Sequence, residues 1–302
     1  MSRGSVLPLL LALGLAPLLL GVITRTKAVI AGRAGPALLQ PYHDLRKLMA
    51  KGAVYSRTTS WVFRAGPVIG LAAIIIAAAL VPLGGPALVS FPGDLLLFVY
   101  LLALARFSTV IAALDTGSSF EGMGASREVA FSTLAEPALL LGLAAIARKT
   151  GSLSLSTMLP HVTVGVWAHA APPLALVAIA LLVVFLAENG RIPVDDPATH
   201  LELTMIHEVM VLDHGGPDLA FILYGAALKL WLFGALVMGL ALPVHSGHLW
   251  LDAGAAALGM LLLAVPTGLV ESSMARLRLL AVPRLLVGAG VLSVLALLLV
   301  LR

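Results

Sequence analysis

The sequence predicts an all-α, polytopic membrane protein with about eight transmembrane helices and long loops on one side of the bilayer. Hydrophobic residues make up 60% of the 302 residues, charged residues only 11%, and the mean hydropathy is +1.05. Several apolar runs reach the ~20 residues that an α-helix needs to cross a bilayer. The intervening segments are too short for a separate soluble domain, so we expect residues 1–302 to form a single integral membrane domain.

Eight apolar runs give the predicted spans. The first run is an alternative candidate for a secretory signal, but it is longer than the apolar core of such a signal and is followed by basic residues that stop transfer. We therefore count it as a span. The predicted spans cover residues 5–24, 66–83, 94–114, 129–147, 171–188, 219–242, 253–271 and 285–301.

The distribution of Lys and Arg predicts the orientation, because cytoplasmic loops of membrane proteins are enriched in these residues. Residues 25–65 contain eight of the nineteen, five more fall on the same side, and four fall on the opposite side. We therefore expect a multi-pass protein of the cell inner membrane with both termini on the outer side. The predicted cytoplasmic loops, which would bind soluble partners, lie at about 25–65, 115–128 and 189–218.

The composition excludes several kinds of site. Without cysteine, the chain forms no disulfide, thiolate metal site or iron–sulfur centre. No histidine falls at mid-depth in a predicted span, where a membrane cytochrome would place its haem ligands. His207-Glu208 lacks the second histidine of a helical zinc site, and the glycine-rich residues 117–126 lack the ending of a phosphate-binding loop. We expect no catalytic residue, metal or other cofactor on this chain, and nothing indicates nucleic acid.

The segment 188–218 is the most acidic part of the chain, with seven of the fifteen carboxylates and a single Arg. Asp196 followed by Pro197 is typical of a helix start. The pattern predicts a helix over 198–213 that ends before the Gly-Gly-Pro at 215–217. Apolar residues occur on most faces of this helix, which indicates that it is partly buried.

Two acids of this predicted helix, Glu202 and Glu208, would lie among apolar side chains. Burial favours the protonated form of a carboxylate, which suits a proton carrier. The alternative is that the acids of this segment cap helices and face water or a basic partner, an interpretation favoured for Asp213 and Asp218. Three histidines with a seven-residue spacing are most simply surface or partner-facing residues: His200, His207 and His214.

Apart from acids at the first or last residue of a span, three charged residues lie inside the predicted spans. Each costs roughly 2.5–3.5 kcal/mol at a helix centre, and chains seldom retain such residues without a use. Glu136 lies near mid-depth beside Pro137, which favours a functional role. Arg106 lies well inside its span, with structural and functional roles equally open. Lys229 lies closer to the end of its span and has the further alternative of reaching the interface with its long side chain.

Three motifs resemble the family of respiratory complex I subunit 1. Within it, they are most similar to the membrane subunits of formate hydrogenlyase and related group 4 nickel–iron hydrogenases. The resemblance implies an anchor for the hydrogenase large and small subunits and an iron–sulfur subunit, beside antiporter-like membrane subunits in the lipid bilayer. The NiFe centre and iron–sulfur clusters would lie in those partners. The motifs are RAGPALLQPYHDLRKL (33–48), ARFSTVIAALDTGSSFEGMGASREVAFSTLAEPALLL (105–141) and ENGRIPVDDPATHLELTMIHE (188–208).

The resemblance also implies roles for individual residues, because the complex I subunit forms much of the quinone chamber and a glutamate-lined proton path. The candidate proton carriers are Glu136, Glu188, Asp195, Glu202 and Glu208. The candidate supporting charges are Arg106, Arg127, Arg191 and Lys229. The first loop resembles a docking and chamber-wall segment, with matching residues Arg33, Gln40, Pro41, Asp44 and Lys47.

The function expected from these observations is a proton- or ion-path subunit that couples hydrogenase electron transfer to ion movement. One alternative is a purely structural anchor whose acids bind basic partner surfaces. Another is the quinone-chamber subunit of an NADH:quinone oxidoreductase. In complex I subunits, however, the next acid lies further along the chain from the position of Glu202 than Glu208 does here. A free-standing transporter is disfavoured, because the two halves lack matching broken helices.

Overall fold

The computed structural model describes residues 5–195, 205–242 and 246–302. Within these residues the chain forms ten α-helices and two 3₁₀ helices, Glu208–Val211 and Leu279–Ala281. The α-helices are α1 (Leu7–Ile30), α2 (Gln40–Met49), α3 (Trp61–Leu80), α4 (Asp94–Asp115), α5 (Ser119–Thr150), α6 (Leu155–His161), α7 (Val164–Glu188), α8 (Gly216–Ala241), α9 (Leu249–Ser273) and α10 (Val282–Leu301).

Eight helices of the described chain are long and apolar enough to cross a membrane. They are α1, α3, α4, α5, α7, α8, α9, and α10 with the 3₁₀ turn before it. The predicted all-α fold with eight spans is therefore confirmed. The two remaining α-helices, α2 and α6, are short and lie between spans.

The fourth span differs most from its prediction. α5 begins at Ser119, so only residues 116–118 separate it from α4, and the predicted loop at 115–128 is wrong. The polar, glycine-rich residues at the start of α5 have the composition of a loop, but tertiary packing overrides that preference. A Cβ on Gly124 would lie 2.3 Å from the Val209 Cγ1 atom, so glycine lets the 3₁₀ helix Glu208–Val211 pack directly against α5.

The acidic segment also differs from its prediction. Residues 196–204, which include Asp196, Pro197 and Glu202, lie outside the described residues. In the described remainder, residues 205–213 form only the short 3₁₀ helix, so the predicted continuous helix is wrong there. The Asp195 carboxylate accepts the backbone N–H groups of Ile206 and His207 at 3.2 and 3.1 Å, so these N–H groups bond to a side chain and not to a helical carbonyl.

The first loop is partly helical. α1 continues to Ile30, and α2 occupies Gln40–Met49, with Pro41 in its first turn. Pro fits at this position because the first N–H groups of a helix have no intrahelical partner. α2 packs against α1 and α8, and its outward face carries charged residues.

α8 lies at the centre of the bundle and packs against α1, α3, α7 and α9. Its buried side chains include Trp231 and Phe233. Because lipid tails are as apolar as these side chains, close packing against neighbouring helices, rather than removal from water, is what their burial contributes. The helix is apolar on nearly every face because it touches protein rather than lipid around most of its circumference.

A proline in α1 shows how the bundle satisfies backbone groups inside the membrane. Pro17 lacks an N–H, so the carbonyl of Leu13, four residues earlier, has no helical donor. The Tyr224 hydroxyl of α8 donates to that carbonyl at 2.8 Å. The Tyr42 hydroxyl of α2 donates to the next carbonyl, that of Gly14. These two hydrogen bonds attach α8 and α2 to the middle of α1.

The chain after α7 remains inside the bundle. The last residue of α7, Glu188, contacts Lys229 in the middle of α8, and residues 192–195 are all buried. Gly190 adopts a φ of +58°, and a Cβ there would lie 2.9 Å from the His207 ring, so only glycine fits. Residues 188–195 therefore lie beside Lys229 of α8 and beside His207. We call the end of the bundle that carries α2, the C-termini of α4 and α7 and the N-termini of α5 and α8 the charged end.

Candidate functional site: a buried chain of ion pairs

Arg106 of α4 is the centre of the candidate site. One terminal guanidinium nitrogen contacts both carboxylate oxygens of Glu188, at 2.6 and 2.7 Å, and Nε lies 3.2 Å from Glu128. The other terminal nitrogen donates to Glu136. The side chains of Arg106, Glu128 and Glu188 are buried, whereas that of Glu136 is 37% exposed. One cation therefore joins three carboxylates from two other helices.

Glu188 has a second cationic partner. The Lys229 amine of α8 lies 2.8 Å from Glu188 Oε2, an oxygen that Arg106 also contacts. Three helices therefore meet at this carboxylate, because α7 supplies the acid and α4 and α8 supply the bases. A buried carboxylate needs such partners, since removing an unpaired charge from water is strongly unfavourable.

The chain continues from Glu128 toward the charged end. The His207 ring lies 3.2 Å from Glu128 through Nε2 and 3.3 Å from Asp195 through Nδ1. Asp195 also contacts the Arg276 guanidinium at 2.9 Å. Acids and bases therefore alternate along the whole sequence of contacts from Glu136 to Arg276.

The groups outside the spans have shifted pKa values. Burial lowers the pKa of His207, but the adjacent Glu128 and Asp195 outweigh burial and raise it above its ordinary value. Burial raises the pKa of Asp195, but hydrogen bonds from His207 and the charges of His207 and Arg276 outweigh burial and lower it. The charged forms of both side chains are favoured in the folded protein.

A second buried ion-pair group lies beside the first. The Glu271 carboxylate near the end of α9 is fully buried and contacts Lys27 of α1 at 2.9 Å and Arg191 at 3.3 Å. Arg191 and Asp195 belong to the same buried segment after α7, so this segment connects the two groups. It is thereby attached to α1 and α9 as well as to the Arg106 chain.

A small cavity adjoins the Arg106 chain. Its polar wall is formed by Glu128, Glu188 and His207, and its apolar wall includes Phe131 of α5 and Leu286 of α10. The space is sufficient for about one water molecule. The arrangement can therefore hold a water in contact with two carboxylates and an imidazole, which are groups that exchange protons.

Comparisons with known proteins identify the family. The profile of the family described as NADH dehydrogenase matches residues 4–301. The chain belongs to the NADH dehydrogenase family. Formate hydrogenlyase subunit 4 of Escherichia coli K12 is 34% identical over 291 residues, which cover 92% of each chain. Hydrogenase-4 component C of the same organism is 32% identical over 237 residues, 76% of this chain and 71% of that protein.

The fold also matches a solved structure. A chain of the membrane-bound sulfane sulfur reductase, an archaeal respiratory membrane complex, superposes with a TM-score of 0.82. The match covers 97% of this chain and 96% of that chain at 19% identity, so it shows the fold alone. The sequence relatives are subunits of oxidoreductase complexes. This member of the NADH dehydrogenase family is therefore a membrane subunit of a respiratory-type oxidoreductase complex.

The structure brings together five of the predicted path and supporting residues in this family member: Arg106, Glu136, Glu188, Asp195 and Lys229. The alternative that Lys229 only reaches the interface is wrong, because its amine contacts Glu188. Glu208 begins the 3₁₀ helix and is not among the described partners of Arg106 or His207.

The other predicted residues are placed elsewhere. Arg127 donates to the Met205 carbonyl at 2.9 Å and so holds the segment before His207 against α5. Arg191 belongs to the Glu271 group. In the first loop Arg33, Asp44 and Lys47 are exposed, whereas Gln40 and Pro41 are half-buried, and the Gln40 amide donates to Asp44 at 2.8 Å.

Several members of the site were missed by sequence reasoning: Lys27, Glu128, His207, Glu271 and Arg276. The interpretation of His214 as a surface residue is wrong, because its side chain is buried, and His207 is half-buried in the ion-pair chain. The alternative that these histidines face a partner stays a prediction. A signal for Glu128 was present. Glu121, Glu128 and Glu136 have spacings of seven and eight residues, which place all three near one face of a continuous α5.

Proposed function

We propose that this family member is the membrane-anchoring and proton-path subunit of a formate hydrogenlyase-like hydrogenase complex. The supporting observation is the continuous alternation of acids and bases from Glu136 through Arg106, Glu128 and His207 to Asp195. It begins at a partly exposed acid at mid-length of α5 and ends at the charged end. Ionisable residues inside a membrane domain typically mark a proton or ion pathway.

The chemistry of the chain follows from which groups change their protonation state. Glu and His side chains gain and lose protons, whereas the Arg106 guanidinium stays charged. Three carboxylates share this guanidinium, so a proton on one of them changes the proton affinity of the other two. The His207 ring lies between the Glu128 and Asp195 carboxylates. It relays a proton by taking one up at one ring nitrogen and releasing one from the other ring nitrogen. Charge movement in a neighbouring redox module would shift these equilibria.

The redox groups would belong to partner chains. This chain lacks cysteine for cluster or NiFe ligation, and the described cavity, with space for about one water, does not fit a quinone headgroup. The hydrogenase large and small subunits and an iron–sulfur subunit would dock at the charged end, which faces the cytoplasm in this proposal. Antiporter-like subunits would lie beside the spans, and both termini would face outward.

Replacing Glu188 with Gln tests the proposal, because it removes the one negative charge that Arg106 and Lys229 share. In the intact complex reconstituted in liposomes, we expect hydrogen production to continue while proton transport per hydrogen falls by about tenfold or more, as for loss of a proton-transfer group. Glu136→Gln should also lower proton transport per hydrogen. Proton uptake is measured with a pH-sensitive dye alongside hydrogen evolution.

Asp94→Asn is the matched control. Asp94 is a buried carboxylate on the same helix as Arg106, but its partners are Ser154 and the Leu155 N–H, at 2.7 Å each. Its replacement should leave the ratio of protons to hydrogen unchanged. A structural anchor would give a different result, in which Glu188→Gln reduces the amount of complex on native gels and any surviving complex transports normally. That result would refute the proton-path assignment.

A further inference from the structure

A second group of buried ionisable side chains lies at the charged end, apart from the Arg106 chain. The group consists of Glu121 in α5, His214 just before α8 and Asp218 in the first turn of α8. Their exposed fractions are 1%, 5% and 8%. Each has at least one buried polar atom without a hydrogen-bond partner within the described residues: Glu121 Oε2, Asp218 Oδ2 and both ring nitrogens of His214. Native proteins rarely leave such atoms without a partner, and ordered water is the usual one.

His214 is held in a neutral, aromatic environment. Its ring stacks on Phe63 of α3, with the ring centroids 3.9 Å apart and the planes 7° from parallel. Burial lowers the pKa of His214, against an opposing effect of the nearby Asp218 and Asp213 charges. A neutral imidazole carries one donor and one acceptor nitrogen. Both nitrogens are therefore available to a bound water.

No cation offsets the two buried acids within the described residues. Glu121 Oε1 accepts the Asp213 N–H at 3.1 Å, and neither Glu121 nor Asp218 forms a described ion pair. The Arg64 guanidinium lies 4.2 Å from the centre of the Tyr55 ring. Burial raises the pKa of Tyr55, and the nearby Asp218 carboxylate raises it further. A buried carboxylate with neutral partners binds a proton more readily than one paired with a cation.

An apolar layer separates this group from the Arg106 chain. Val110, Ala113, Ala125 and Met210 form a buried cluster where α4, α5 and the 3₁₀ helix meet. Glu121 and Glu128 lie on one face of α5, and seven residues of helix separate them by ~10 Å. The side chain of Val209 packs over Gly124 between them. The two groups are therefore separate sites joined by one helix.

We propose that Glu121, His214 and Asp218 form a second, water-filled proton-exchange site at the charged end, separated from the Arg106 chain by the apolar layer. The bound species is water carrying an exchangeable proton, held by two acids and a neutral imidazole. Proton exchange at this site does not depend on the proposed function. Its role as the supply of protons to the Arg106 chain does rest on that function.

Infrared difference spectroscopy on the full-length chain in lipid nanodiscs tests the site directly. The pH is stepped from about 5 to about 9, across the range in which a proton held by a buried carboxyl is released. We expect a carbonyl stretching band of a protonated carboxylic acid that is lost or reduced in Glu121→Gln or Asp218→Asn. Glu121→Asp should shift the band, and His214→Phe should move the pH at which it disappears.

Asp44→Asn is the matched control, because Asp44 is an exposed acid on α2 whose described side-chain partner is Gln40 and not a member of the site. It should leave the band unchanged. The proposal is overturned if the wild-type chain shows no such band, or if the band is unchanged in both Glu121→Gln and Asp218→Asn. The readout is independent of ion transport, so a normal Glu188→Gln phenotype would refute the proton-path function while leaving this site intact.

Discussion

His207 is held between Glu128 and Asp195, where the ion-pair chain leaves the helices. The two carboxylates raise its pKa above 6.5 despite the opposing effect of burial. The protonated ring therefore stabilises the folded state. This contribution is fully present below about pH 6.5 and is lost as the pH rises through the raised pKa. Asp195 has a lowered pKa, so its contribution is lost only in acid, as the pH falls through that lowered value.

The thermal stability of the full-length chain in detergent should therefore decrease as the pH rises from about 6.5 into the alkaline range. The decrease should be on the order of 1 kcal/mol, the usual net contribution of an intramolecular hydrogen bond. His207→Gln should be less stable at the acidic end and should show a smaller decrease. Unfolding midpoints of the wild type and of His207→Gln at a series of pH values measure the decrease.

His161→Gln is the control, because His161 is exposed at the opposite end of the bundle. Equal pH dependence in wild type and His207→Gln would contradict the assignment.

At the scale of helices, Pro17 and Tyr224 form a complementary pair. Pro17 removes the donor for the Leu13 carbonyl, and the Tyr224 hydroxyl replaces it at 2.8 Å. Tyr224→Phe should lower the free energy of unfolding by about 1–3 kcal/mol, because it leaves that carbonyl without a donor in an apolar environment. Thermal unfolding in detergent or lipid nanodiscs measures the change.

A double-mutant cycle tests the physical reason for this effect. Pro17→Ala restores a backbone N–H to α1, so Tyr224→Phe should be much less destabilising in that background. Tyr100→Phe is a control for the loss of a hydroxyl, since Tyr100 is 72% exposed on α4. If Tyr224→Phe is equally destabilising with and without Pro17, the hydroxyl does not act through the Leu13 carbonyl.

The helices that were predicted well are those whose boundaries coincide with changes in hydropathy. All eight spans could be predicted because a bilayer requires long apolar helices. The start of α5 could not, because Glu121 is buried and Arg127 is half-buried against the segment 205–213 rather than exposed in a loop. Glu128 was missed for the same reason, since it belongs to the part of α5 that composition assigns to a loop.

For the site, the sequence indicates which side chains are unusual but not which ones meet. Arg106, Glu136 and Lys229 are recognisable because each interrupts an apolar span. Their pairing depends on how α4, α5, α7 and α8 are arranged, which is a property of tertiary packing. His207 and Glu271 are not recognisable as members, because a histidine or acid near a helix end is ordinarily exposed.

At the scale of the whole molecule, charge is strongly asymmetric. The charged end contains α2 with its exposed residues Asp44 and Lys47, the exposed Arg33 in the loop before α2, and the buried ion-pair chain. The lipid-facing surface carries mainly large apolar side chains. A soluble partner that carries redox centres would therefore meet the bundle at the end where the proposed proton path opens. Docking and proton transfer would share one surface, but they would depend on different residues.

This separation gives a prediction for the complex. Reversing two exposed positive charges with Arg33→Glu and Lys47→Glu should release the soluble hydrogenase subunits at a lower salt concentration, without changing membrane insertion. Exposed ion pairs contribute about 0.2–1 kcal/mol each, so the two changes together should reduce affinity several-fold, more strongly at low ionic strength. Stepwise salt washing of membranes, followed by quantification of released subunits, measures the effect.

Arg148→Glu and Lys149→Glu make the same charge change at the exposed opposite end of α5 and should have no effect on the release of the subunits. Equal release in both double variants would show that net charge, rather than the α2 surface, governs docking.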